Sequence, residues 1–124
     1  MYIPSGEAPE EQVRFYVDEL GLFEVAQDYG MGQMLLRCRT SPSFCLLLQP
    51  GRPVMRDTPV FTLSTSNARA ELARLTAVRF TRGGLVVGRD GVPGVWEYPL
   101  GTTFSLRDAV GNLFGISQWH PSAF

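Results

Sequence analysis

The sequence predicts an α+β fold made of two successive βαβββ modules, each ordered strand, helix, strand, strand, strand. Three observations carry this. Residues 103–117 alternate apolar and polar around Asp108-Ala109-Val110-Gly111-Asn112, the pattern of a β-hairpin with a turn rich in Asp, Gly and Asn. Two stretches, 9–20 and 68–77, carry apolar residues at helical spacing, and a short apolar run precedes each. Short apolar runs parted by Gly, Pro and Ser then follow each helix. The two halves share this order of elements and almost no residue identities, so the repeat is one of architecture.

Taken in order, Met1-Tyr2-Ile3 opens a first strand, and Pro9 suits the first turn of a helix whose acids Glu10 and Glu11 meet the positive end of its dipole. Val13, Tyr16, Val17 and Leu20 form its apolar stripe, and Gly21 stands where a helix-ending residue belongs. Strands are expected at 23–26, 33–39 and 44–49, the last two joined through Thr40-Ser41-Pro42-Ser43. Module one thus spans about 1–50, a Pro- and Gly-containing linker about 51–58, and module two about 59–120, the whole forming a single domain. Module two begins with a strand at 60–64 and a helix at 68–77, capped by Ser66 or Asn67, with Ala68, Leu72 and Leu75 inward. A strand at 84–88 follows, then a loop at 90–94, a lid-like connection holding Trp96 and Tyr98, and the closing hairpin. In that hairpin Asp108 should face Asn112, Leu106 should face Phe114, and Phe104 should face Ile116.

Charge and composition narrow the function. A formal net charge of −1 supplies no field for nucleic acid or anionic membrane, so neither is an expected partner. All eleven basic residues are Arg, which fits either a composition bias or bidentate recognition of carboxylate and phosphate. No apolar run is long enough to span a bilayer, and the first residues do not read as a secretory signal, so a cytoplasmic location is expected. The nucleophile elbow, P-loop, CxxC motif and post-strand GxGxxG are missing from the sequence. Glu97 and Asp90 are the carboxylates nearest the expected lid; a base there and ordinary surface charge are both open.

Phe15-Tyr16-Val17-Asp18-Glu19-Leu20-Gly21-Leu22 is similar to the "FY…LGF" that ends helix one in the vicinal-oxygen-chelate superfamily, the glyoxalase and bleomycin-resistance fold. Phe104-Ser105-Leu106-Arg107-Asp108-Ala109-Val110-Gly111-Asn112 resembles that superfamily's "F-x-x-R-D-P-D-G-N" hairpin, with Ala109 and Val110 in place of Pro and Asp. The resemblance covers almost the whole chain. It implies two modules whose sheets form an open, U-shaped barrel with a cleft. Many members hold a divalent metal there; others hold none and trap a drug at a dimer interface, so fold alone does not settle function.

The resemblance places the metal-ligand positions near Met1 or Tyr2, at Leu46, at Val60 and at Gly115. No residue there is a ligand type, and a catalytic metal needs about three converging His or carboxylate ligands. The one histidine, His120, lies past the last strand. The expectation is therefore no metal and no other cofactor.

If strands 33–39 and 44–49 pair about Ser41-Pro42, Cys38 faces Cys45, Arg37 faces Leu46 and Leu35 faces Leu48. By analogy with Gly115, the Leu46 face is the cleft face. Leu35, Arg37, Arg39, Phe44, Leu46 and Leu48 then line it from module one, and Met34, Leu36, Cys38, Cys45 and Leu47 pack on helix one. Val60, Thr62, Ser105, Gly115 and Ser117 line it from module two, with Trp96 and Tyr98 over the opening. Solvated strand face for the two Arg, and loop or dimer packing for Trp96 and Tyr98, are the plainer readings. Cys38 and Cys45 are expected to be buried thiols rather than a disulfide.

The function expected from this lining is binding or sequestering of an aromatic or weakly anionic small organic molecule by a metal-free homodimer. A metal-dependent lyase, isomerase or dioxygenase of the same superfamily is the alternative. An interaction module with a filled cleft is the third, so enzymatic activity is left open.

Overall fold

The computed structural model describes residues 1–7, 9–52, 58–78, 80, 84–89 and 92–121. The first half folds as β1 (Tyr2–Pro4), α1 (Pro9–Val13) continuing as a π-helical segment (Arg14–Glu19), β2 (Phe23–Gly30), β3 (Gln33–Cys38) and β4 (Cys45–Gln49). The π-helical turn closes with the Leu20 N–H donating to Phe15 O at 2.7 Å, five residues back. Gly21 then takes φ +74°, the left-handed conformation expected of a helix-ending glycine.

The second half supplies β5 (Thr62–Ser64), α2 (Ala68–Ala77), β6 (Leu85–Arg89), β7 (Val92–Pro93), β8 (Trp96–Tyr98), β9 (Gly101–Arg107) and β10 (Leu113–Trp119). Of the two expected caps Asn67 does the work: its side chain accepts the Ala70 N–H at 3.0 Å. Ala68 and Leu75 are buried on α2 and Leu72 is half-buried.

Sheet one has the strand order β1-β4-β3-β2, with β1 and β4 parallel. Sheet two runs β5-β10-β9-β6-β7, with β5 and β10 parallel and β8 paired to β9. The order β1-β4-β3-β2 is repeated in β5-β10-β9-β6, so the two βαβββ modules predicted from element order are present as equivalent sheets, and neither sheet closes. The hairpin register is as expected: Leu106 pairs with Phe114 and Phe104 with Ile116, while the Asp108 N–H donates to Asn112 O at 3.0 Å.

Two elements depart from expectation. Trp96–Tyr98 is a strand on β9 rather than a lid, because its alternation lets it pair Trp96 with Thr103, Glu97 with Thr102 and Tyr98 with Gly101. The β3–β4 register is displaced by one residue: Arg37 pairs with Cys45, Leu36 with Leu46 and Met34 with Leu48. The Phe44 N–H donates to Ser41 O at 2.9 Å and Phe44 O accepts from the Cys38 N–H at 2.9 Å, so the loop holds an odd number of residues. A one-residue slip turns every side chain of a strand over.

A shared aromatic core sits between the sheets. Tyr16 of the first helix packs against Phe23 of sheet one (5.4 Å between ring centres), against Phe61, which leads into β5 (6.4 Å), and against Phe114 of sheet two (5.8 Å). Helix one is therefore sandwiched, and Ile3, Leu36, Leu46 and Leu48 join Leu63, Phe104, Leu106 and Ile116 in the same buried cluster. No helix of the described residues is long and apolar enough to cross a membrane.

Candidate functional site

Because each sheet gives one face to the shared core, its other face looks outward. On sheet two this outward face can be read row by row from the register. One row is Trp96, Thr103, Ser117 and Ser64; the next is Val87, Ser105, Gly115 and Thr62; a third is Tyr98, Gly101 and Trp119. The expected site residues Thr62, Trp96, Ser105, Gly115 and Ser117 thus share one face. Tyr98 falls in register on that face, and its side chain lies outside the described residues. Val60 precedes β5 with its N–H donating to Leu113 O at 2.8 Å, and its side chain packs against the core edge.

Small side chains leave the middle of this face shallow. A Cβ added at Gly115 would stand 3.2 Å from Thr62 Oγ1, so the glycine permits the close approach of β5. Beyond it the face deepens into an apolar hollow of about 410 Å³ walled by Pro99, Leu100, Gly101, Thr103, Ser117 and Trp119. Its polar atoms are tied to one another. The Ser117 hydroxyl donates to Thr103 Oγ1 at 2.7 Å, the Thr103 hydroxyl donates to Ile116 O at 3.1 Å, and the Trp119 indole N–H donates to Ser64 Oγ at 3.1 Å.

Trp119, Leu100 and Thr103 were not among the expected site residues. The signal for Trp119 was in the sequence: it continues the Gly115, Ser117 alternation by one step.

On sheet one the outward face carries Tyr2, Leu35, Arg37, Cys45 and Leu47. Arg37 is exposed and lies 3.7 Å from Glu24 on β2; Arg39 is also exposed. Three expected site residues are corrected here. Leu46 and Leu48 are fully buried, and Phe44 packs on Phe23 and Phe61 (6.4 and 5.7 Å), because the register slip turns them to the core. Leu47 and Cys45, expected against helix one, face outward instead. Cys38 is buried, with its sulfur 3.4 Å from Thr40 Oγ1, and Cys45 is on the opposite face, so the two thiols do not meet.

The sandwiched helix separates the two outward faces. Arg37 and Arg39 are therefore not brought within one chain to the surface holding Thr62, Ser105 and Ser117, contrary to the single cleft expected from both modules.

Of the positions expected to hold metal ligands, Tyr2 and Gly115 lie on the outward faces, where they pair with Leu47 and Thr62, whereas Leu46 is buried in the core and Val60 packs at its edge. Aliphatic, glycyl and hydroxyl groups do not make the donor set a divalent ion requires. Among the described residues no three of His, Cys, Asp and Glu come together. His120 is exposed beyond β10. Glu97 points to the helix side of β8: the Thr102 hydroxyl donates to it at 2.9 Å and Arg69 pairs with it, and these contacts hold its carboxyl below the usual carboxylate range. It is not part of the open face, and Asp90 lies outside the described residues.

No family model and no curated protein matches this sequence. Solved structures do. An antibiotic binding protein, TnmS3, from Streptomyces sp. CB03234 is 24% identical, with 97% of this chain and 93% of that one covered at a TM-score of 0.69. A glyoxalase/bleomycin resistance protein from the same strain is 24% identical over 94% of this chain and 96% of that one, at 0.66. A member of the glyoxalase/bleomycin resistance protein/dioxygenase superfamily from Sphaerobacter thermophilus is 19% identical over 95% and 93%, at 0.67. With the repeated strand order and the hairpin register, these matches show that the chain has the vicinal-oxygen-chelate fold, that of the glyoxalase and bleomycin-resistance proteins.

Proposed function

We propose that this protein binds or sequesters a small organic molecule, without a metal, on the open face of sheet two. The observation that carries this reading is an apolar, tryptophan-walled hollow on a face whose neighbouring paired positions, Thr62 and Gly115, carry neither imidazole nor carboxylate. Burial against apolar walls and indole supplies most of the affinity for such a ligand, and a few hydroxyls orient it. The similarity in fold to an antibiotic binding protein agrees with this ligand class.

The same reading includes a homodimer. A cleft needs two facing walls, and one chain turns its two open faces apart. A second copy closes it by laying the Leu35, Arg37 and Leu47 face of one chain over the Thr62, Ser105 and Ser117 face of the other. Arg37 would then give a weakly anionic ligand a partner that sheet two lacks.

Thermal melting against a panel of aromatic acids, phenols, glycopeptide drugs and divalent ions tests this, together with sedimentation velocity. A ligand at a hundredfold excess over its Kd should raise the melting temperature on the order of 10 °C, and the protein should sediment as a dimer. Stoichiometric metal in protein purified without chelator, with a matching rise in melting temperature on adding that ion, overturns the reading in favour of a metal-dependent lyase, isomerase or dioxygenase. A flat panel in a monomer favours an interaction module.

A further inference from the structure

Among the described residues, the walls of the hollow beside Trp119 have a one-sided hydrogen-bonding character. Ile116 O can only accept, so the bond between it and Thr103 must use the Thr103 proton. A hydroxyl has one proton, so the bond between Ser117 and Thr103 must use the proton of Ser117. The indole N–H of Trp119 is likewise engaged, by Ser64. Every side-chain donor among the described walls is thus directed into the protein. The lone pairs that these bonds leave on Ser117 Oγ and Thr103 Oγ1 border an otherwise apolar cavity of Pro99, Leu100 and the indole.

From this we infer that the hollow is a subsite for an uncharged aromatic group bearing a hydrogen-bond donor, such as a phenol or an aryl amide, and that it rejects aryl carboxylates. The inference rests on the reading that the open face of sheet two takes a small molecule, and it names the chemistry selected there. A donor on the ligand finds an acceptor already fixed in place. An acceptor on the ligand finds no side-chain donor free among the described walls, and a carboxylate would lose its water there without replacement. No Arg is among the described walls of the hollow; Arg107 on the same face lies two alternate positions beyond Thr103 along β9, where it donates to Gly111 O at 3.0 Å. Any anionic part of a ligand must therefore lie outside this subsite.

Three probes of one shape separate these terms at neutral pH: 2-naphthol, 2-methoxynaphthalene and 2-naphthoate, titrated into the whole protein by calorimetry and by amide and indole NMR. The naphthol should bind roughly two- to tenfold more tightly than the methyl ether, and the naphthoate about tenfold or more weakly than the naphthol. Shifts should centre on Gly101, Ser117 and the Trp119 indole. Thr103→Val, which keeps the shape but frees the Ser117 proton, should narrow the gap between naphthol and naphthoate. Leu100→Ala, at an exposed side chain, should weaken all three alike and keep their order. Naphthoate binding as tightly as naphthol overturns the inference, as does an unchanged gap in a folded Thr103→Val. Should ligands from the melting panel bind while the naphthalenes leave Gly101 and Ser117 unmoved, the subsite fails and the broader reading stands. If nothing binds, both fail.

Discussion

The Tyr16 hydroxyl donates a 2.6 Å hydrogen bond to Asp108 Oδ2 in the core, joining the first helix to the last hairpin across 92 residues of sequence. Asp108 is fully buried. Its Oδ2 also accepts from Gln12 Nε2 at 2.9 Å and Asn112 Nδ2 at 2.8 Å, and its Oδ1 accepts from the backbone N–H groups of Val110 and Asn112 at 3.1 and 2.9 Å. The residue read from sequence as a turn former is the hub that fastens the two modules together. Removing it strands several buried donors at once, which costs more than the bonds are individually worth. Asp108→Ala should lower stability by about 3 kcal/mol or more, and Tyr16→Phe by about 1–3 kcal/mol. Urea unfolding of both and of the double variant should show coupling, the double losing less than the sum. Strict additivity contradicts a shared network.

Tyr16 also predicts a response to alkali. Burial, the nearby Asp108 carboxylate and the bond to it all hold the Tyr16 phenol well above its ordinary pKa of 10.0. Below that value Tyr16 is neutral in both folded and unfolded chains and adds no pH dependence. Above it the unfolded chain releases the proton and the folded one keeps it, so stability falls as pH rises. The slope from this residue is at most about 1.4 kcal/mol per pH unit. Unfolding free energies at pH 9 and pH 11 should therefore converge in Tyr16→Phe relative to the wild type. Equal losses in the two proteins rule out the mechanism.

The placement of the thiols predicts a split reactivity. Cys38 is buried and Cys45 is half-buried on the opposite, outward face. Under native conditions a thiol reagent should modify Cys45 in preference, and Cys38 should react at the rate of unfolding. Mass spectrometry after timed labelling distinguishes the two. Equal rates, or a bond between them under oxidising conditions without loss of structure, contradict the register.

How much the sequence discloses depends on how each turn fixes its length. The hairpin around Asp108 was legible because Gly111 takes φ +100° and Asp108 and Asn112 close the loop on themselves. Its strands also alternate cleanly, so Phe104, Leu106, Phe114 and Ile116 could be assigned to the core. Thr40-Ser41-Pro42-Ser43 offers no such residue, and odd and even loops suit it equally. Cys45-Leu46-Leu47-Leu48 is apolar on both faces, so alternation could not correct the slip. The expected faces split accordingly: Thr62, Trp96, Ser105, Gly115 and Ser117 share the one face read for them, whereas Phe44, Leu46 and Leu48 were turned over and Arg37 and Arg39 were not. The separation of the two faces was not legible at all, because it depends on Tyr16 touching both sheets, a contact that no local pattern encodes.

The register itself can be tested by two neighbouring leucines. In the structure Leu46 is fully buried against Leu36, while Leu47 is half-buried and faces outward beside Leu35 and Tyr2. Leu46→Ala leaves a cavity in the aromatic core and should cost about 2–5 kcal/mol. Leu47→Ala removes only the partial burial and should cost about 1 kcal/mol or less in the isolated chain. If a second copy covers sheet one, Leu47→Asp should also weaken self-association while leaving the fold of each chain intact, which dilution in sedimentation velocity will show. Costs in the reverse order would mean that Leu46 lies on the open face and that the expected pairing of Arg37 with Leu46 is the true one.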